Sequence, residues 1–166
     1  MASKSRKESN IWLKKVCKNI KGDVLSIGSL QDIDCEGGVY RSYFKKASSY
    51  LTSDVEGNVD MILDVRDMAV VPDRRFNCVF CAGVLEHVDD FMAGIREITR
   101  VLAPGGILLL GVPFRQAIHS IPQDFWRFTR FGIEYMLKDF VIMEIKELDD
   151  SIENFPATYW VKAIKK

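Results

Sequence analysis

Short apolar runs alternate with polar connections along the whole chain, and five of them have the length and composition of buried strands. They read DVLSIGS, SSYLTSDV, VDMILDV, FNCVFCAGV and GGILLLGVPF. Several carry no polar face, which is the pattern of parallel strands covered on both sides by helices. Helical periodicity stands between and before them. IWLKKVCKNIKG places Trp12, Val16 and Ile20 on one face with lysines opposite, and Gly22 is suited to end that helix. From Asp90 to Leu102, Phe91, Ile95, Ile98 and Leu102 repeat at helical spacing behind a capping Asp89 or Asp90, and APGG stops the helix before the fifth strand. A shorter helix is expected over RFGIEYMLKDF.

The last two runs, FVIMEIKEL and ATYWVKAIKK, are strand-like and joined by a polar connection too short for a crossover helix, so they should pair antiparallel. The expectation is an α/β fold, Rossmann-like and doubly wound, whose mostly parallel sheet ends in a C-terminal antiparallel hairpin. At 166 residues there is room for one domain, expected over residues 10–166 behind a frayed polar tail at 1–9.

Composition narrows the function classes. With 23 basic and 23 acidic side chains the net charge is zero, against a general nucleic-acid binder. No apolar run approaches the ~18 residues of a membrane span, and the start MASKSRKESN lacks the apolar region of a secretory signal, so the reading is a cytoplasmic protein without nucleic-acid or membrane partners. Cys78 and Cys81 form a C-x-x-C, but inside a strand residues three apart face opposite ways, so no metal site is expected there or elsewhere.

Ligands of open parallel sheets sit beyond the carboxyl ends of the strands. The first strand is followed by Gly28 and Ser29, the second by Asp54, the third by Asp67 and Met68, and the fourth by AGVLEHV with Ala82 and Gly83. A glycine lets backbone amides approach a ligand, and a carboxylate about 20 or more positions later is placed for ribose hydroxyls. An acceptor followed by a flat apolar side chain suits an aminopurine.

These features in this order, with FNCVFCAGVLEHVDD and EITRVLAPGGILLLGVPF, resemble the class I S-adenosylmethionine-dependent methyltransferases from Asp23 to Lys166. HSIPQDFWRFT further resembles members that act on sugars and related small molecules. The resemblance implies a seven-stranded sheet with its last strand antiparallel and S-adenosylmethionine as cofactor. It implies Gly28 and Ser29 at the methionine end, Asp54 on the ribose, Val55 beside the adenine, Asp67 and Met68 recognising it, and Ala82 with Gly83 along the cofactor. One departure stands out: Ser26 occupies the family's acidic position, and Ser29-Leu30 replace its further small residues, so Leu30 must point away from the ligand.

Methyl transfer to a small-molecule acceptor, most simply a sugar-type hydroxyl, is the leading expectation. Its alternatives are a nitrogen- or protein-directed enzyme of the same fold, and a binding module without catalysis. A hydroxyl acceptor benefits from a base, for which His119, just beyond the fifth strand, is the candidate. Arg115, Asp124, Trp126 and Arg127 are candidate acceptor-binding residues. The competing reading makes Phe125, Trp126 and Phe128 core aromatics, with Arg127 and Asp124 satisfying each other. Glu86 and His87 either face the cofactor or pin their loop. Without an inserted lid domain, the acceptor site is expected to draw on the tail, the loop after the fifth strand and a partner subunit, a homodimer being compatible with the chain.

Overall fold

In the computed structural model, which describes residues 4–148 and 152–166, the strands assemble into one seven-stranded sheet of order β3-β2-β1-β4-β5-β7-β6. The strands are β1 (Lys21–Ile27), β2 (Lys46–Asp54), β3 (Met61–Ile62), β4 (Phe76–Ala82), β5 (Leu102–Pro113), β6 (Phe140–Leu148) and β7 (Thr158–Lys165). Neighbours from β3 to β5 run parallel, and β7 is antiparallel to both β5 and β6. Strand order reverses beside β1, so the carboxyl ends of β1 and β4 border the crevice where a ligand belongs. The expected sheet and its closing hairpin are therefore present; three residues of the hairpin connection, 149–151, lie outside the described residues.

Each face of the sheet has its own core. Leu25, Val79, Leu108 and Leu110 meet α2 (Phe91–Val101) and α3 (Arg130–Met136) through Ile95, Ile98 and Ile133. On the opposite face Val24, Phe80, Leu109 and Trp160 meet α1 (Lys4–Cys17) and an aromatic group around a short 3-10 turn at Tyr40–Tyr43. Cys81 belongs to the first core and Cys78 to the second, which places the two thiols on opposite faces of the sheet.

Asp90 caps α2 by accepting the Ala93 amide at 2.9 Å, and Thr129 caps α3 by accepting the Gly132 amide at 3.1 Å. β5 begins at Leu102, earlier than APGG suggested: the ladder to β4 steps from Leu102 to Ile107, and Gly105 takes a φ of 72° in the bulge between them.

The N-terminal region corrects two expectations. Helix α1 starts at Lys4, so residues 4–9 are not a frayed tail; residues 1–3 lie outside the described residues. Its docking explains the order: Ser9 accepts the Trp160 indole N–H at 2.8 Å, Asn10 donates to Glu36 at 2.8 Å, and the Trp12 indole donates to Glu144 at 2.9 Å. The helix also ends at Cys17, well before Gly22. Gly22 lies within β1 at a φ of 81°, where a Cβ would fall 2.1 Å from the Asn77 side-chain oxygen that accepts the Asp23 amide.

Candidate active site

Beyond the carboxyl ends of β1 to β4 opens a cavity of about 730 Å³, lined among others by Gly28, Asp54, Val55, Asp64, Val65 and Gly83. β1 delivers Gly28 there at a φ of 69°, and a Cβ on it would lie 2.2 Å from a Val84 methyl. Both the turn and the close approach require glycine. Asp54 ends β2 with one carboxylate oxygen accepting the Leu30 amide at 3.1 Å and the other its neighbour Val55's amide at 2.8 Å, and each oxygen keeps a lone pair for a ligand. Leu30 does not plug this cavity: its side chain is turned to Gly57 instead, where a Cβ would lie 2.1 Å from a Leu30 methyl carbon. Ser29 spends its hydroxyl on the sheet, donating to the Ser26 carbonyl at 3.0 Å and accepting the Ser53 amide at 3.1 Å. The hydroxyl thus ties β1 to β2, while Ser29 lines a second hollow shared with Gly28 and Ala82.

The third-strand assignment needs correction. Met68 is fully buried in the core, its amide donating to Glu97 at 2.7 Å, so its side chain is not at the cavity. Asp67 accepts the Ala69 amide at 3.2 Å and is not among the cavity's lining residues. The residues brought to the cavity are Asp64 and Val65, because β3 ends at Ile62 and the chain turns at once. Asp64 pairs with Arg66 at 2.6 Å, and this hydrogen bond keeps its carboxyl below the usual carboxylate range. The missed signal is the apolar run Met61-Ile62-Leu63, after which Asp64 is the first polar side chain.

A second cavity of about 410 Å³ adjoins the first, and Gly83 and His87 line both. Its wall includes Asn10 of α1, Tyr40, Glu86, His119 and Trp160. Glu86, in a short 3-10 turn after β4, is 3% exposed, and among the described residues its Oε2 has no hydrogen-bond partner. Burial pushes its carboxyl up to about 7. The His87 and His119 rings meet edge to face with centroids 4.8 Å apart.

The loop after β5 presents His119 but few of the other expected residues. Arg127 grips Asp124 through both ends of its guanidinium, at 2.7 and 2.8 Å, and also donates to the Gln116 and Ala117 carbonyls. The Arg127 hydrogen bonds hold the Asp124 carboxyl far below the usual carboxylate range. Asp124 in turn accepts the His119 amide at 2.7 Å, so this pair builds the loop and is not left for an acceptor. Trp126 is engaged as well, donating to the Val88 carbonyl at 2.9 Å and packing on Phe91. Arg115 stacks on Phe155 and donates to its carbonyl at 3.2 Å, outside both cavities. All four expected acceptor-binding residues are therefore engaged with other residues of the chain, and the polar wall of the smaller cavity is Glu86, His87 and His119.

Comparisons with known proteins bear on the fold that carries this site. A family model described as a methyltransferase domain matches residues 39–110. The ubiquinone/menaquinone biosynthesis C-methyltransferase UbiE of Pasteurella multocida is 30% identical over 106 residues, covering 62% of this chain and 39% of that protein. The chain thus spans about two fifths of that relative's length. Among solved structures, the N-methyltransferase NodS of Bradyrhizobium japonicum superposes with a TM-score of 0.72 at 13% identity, covering 97% of this chain and 96% of that one. The 1,6-didemethyltoxoflavin-N1-methyltransferase of Burkholderia thailandensis, solved with S-adenosylhomocysteine, gives a TM-score of 0.70 at 14% identity, covering 98% and 84% of the two chains. At such identities the shared property is the fold.

Proposed function

We propose that this chain, which has the fold of the class I S-adenosylmethionine-dependent methyltransferases and a segment that matches a methyltransferase-domain family model, moves a methyl group from S-adenosylmethionine to a small-molecule acceptor. The observation that carries the reading is the meeting of two cavities at Gly83 and His87, a larger one for the donor and a smaller one for the acceptor. The residues present fit the donor. Gly28 leaves bare backbone where a side chain would collide, and two carboxylates, Asp54 and Asp64, line the same cavity as the apolar Val55 and Val65. In this reading Asp54 accepts from the ribose hydroxyls, the valines pack on the adenine ring, and Asp64, whose oxygens already accept from the Arg66 amide and guanidinium, borders the ring.

When bound, S-adenosylmethionine supplies a methyl group on a cationic sulfonium, already activated toward a nucleophile. The task left to the chain is to align the acceptor and exclude water, an effect of up to ~7–11 kcal/mol in well-oriented reactions. Tyr40, Trp160 and the start of α1 enclose the smaller cavity, and Glu86, His87 and His119 give it one polar wall. A small acceptor with polar substituents fits that lining. The relatives' names speak of carbon and nitrogen methylation and lend no support to a sugar hydroxyl, so the acceptor is proposed no more finely than this.

The test is calorimetric titration with S-adenosylhomocysteine. The unaltered chain is expected to bind, and Asp54→Ala to weaken binding about tenfold or more through loss of charge-assisted hydrogen bonds. Absence of heat with the unaltered chain would overturn the reading.

A further inference from the structure

Three donor side chains from two separate segments converge on the polar wall of the smaller cavity. One ligand-type atom each from Glu86, His87 and His119 lies within 4.8 Å of the other two. Glu86 enters from the turn after β4, pinned there because its carbonyl accepts the Phe125 and Trp126 amides at 2.8 and 3.2 Å. The same pinning brings His119 across from the loop after β5.

Each imidazole is held through its Nδ1. The Nδ1 of His87 faces the Gln123 carbonyl at 2.5 Å, and the Nδ1 of His119 faces the Ala117 carbonyl at 3.2 Å and the Asp124 carboxylate at 3.3 Å. Among the described residues neither Nε2 has a hydrogen-bond partner. Carbonyl or carboxylate on one ring nitrogen, with the other left open, is how metal-binding histidines are held in the correct tautomer. Asp124, 2% exposed in its side chain and clamped by Arg127, is a rigid backing for His119. The third donor is a buried carboxylate whose Oε2 has no hydrogen-bond partner among the described residues, an arrangement that is unfavourable unless something answers it.

We propose that Glu86, His87 and His119 form a binding site for one divalent transition-metal ion, of the zinc, manganese or iron(II) class. Two imidazoles and one carboxylate match the donor preferences of these ions, whereas magnesium and calcium favour all-oxygen surroundings. Three protein ligands leave coordination positions open, and all three residues line the cavity assigned to the acceptor. Coordination uses the lone pair that a free base would need, so the role expected for His119 changes: it would position the ion, and the ion would lower the pKa of a coordinated acceptor hydroxyl, whose proton would pass to solvent water. That last step rests on the methyl-transfer reading; metal binding itself does not.

The test uses the tag-free whole chain, stripped with a chelator and titrated with Co²⁺ and then Zn²⁺ by visible absorption and calorimetry. About one Co²⁺ per chain is expected, displaced by Zn²⁺, with affinity reduced by about 100-fold or more in Glu86→Gln and in His119→Ala, since even partners behind the ligands are worth 10–100-fold. S-adenosylhomocysteine titration of the same samples reports separately on fold and donor site, so the failure of one idea is distinguishable from the failure of the other. Less than a tenth of an equivalent of Co²⁺ bound by the unaltered chain, or binding undiminished in both variants, would overturn the proposal.

Discussion

Single residues decide how the cavities are lined, and the sequence declares them unevenly. Gly28 and Asp54 were legible because each stands at the carboxyl end of a strand-like run, and both line the larger cavity. Asp67 and Met68 were misassigned because VDMILDV reads as one strand to Val65, whereas pairing to β2 stops at Ile62 and the turn comes three residues sooner. The departure at Ser29-Leu30 has a physical account: the serine hydroxyl replaces a glycine turn with cross-strand hydrogen bonds, and the Leu30 amide anchors Asp54. Gly28→Ala forces a side chain into Val84 at a φ of 69°. It should cost about 1–3 kcal/mol in chemical denaturation and weaken S-adenosylhomocysteine binding.

At the scale of elements, the loop that follows β3 is held by α2. Arg100 donates to Glu97, to Asp73 and to the Val71 and Met68 carbonyls at 2.7–2.8 Å, while Glu97 accepts the Met68 amide. The Arg100 hydrogen bond keeps the Glu97 carboxyl below its ordinary value. A carboxyl lowered by folding stabilises the native state above its unfolded pKa and loses that contribution as pH falls through the folded value. Glu97→Gln should therefore lower stability near neutrality by about 1 kcal/mol, given solvent on one side of the pair, and the gap to the parent should close on acidification below about pH 4.5. Urea midpoints across pH 3–7 check the sign. Helix α2 was legible from its apolar repeat and capping Asp90, and Asp90→Ala should cost ~1 kcal/mol in the same assay. The start of α1 was not legible, since its anchors are contacts of Ser9, Asn10 and Trp12 with residues 26 to 151 positions away.

For the whole molecule, unbroken apolar runs sufficed to indicate a mostly parallel sheet and its antiparallel close. The acceptor side was beyond such a reading, because it is assembled from α1, Tyr40, the turn after β4 and the loop after β5, which are far apart in sequence. Arg127 and Asp124 of HSIPQDFWRFT satisfy each other, as the competing reading of that loop has it, and spacing alone does not choose between that and a free ligand-binding pair. A donor site built from the ends of four strands couples ligand binding to the integrity of the sheet. S-adenosylhomocysteine at a hundred times its dissociation constant should then raise stability by about 2.7 kcal/mol and the melting temperature by roughly 5–10 °C.

The most direct measurement is a crystal structure of the chain with S-adenosylhomocysteine. The account predicts the adenosine in the larger cavity, its ribose on Asp54 and its base beside Asp64 and Val65, with the sulfur at the Gly83–His87 boundary facing Glu86 and His119. Adenosine bound elsewhere, or a sulfur directed away from the smaller cavity, would contradict it.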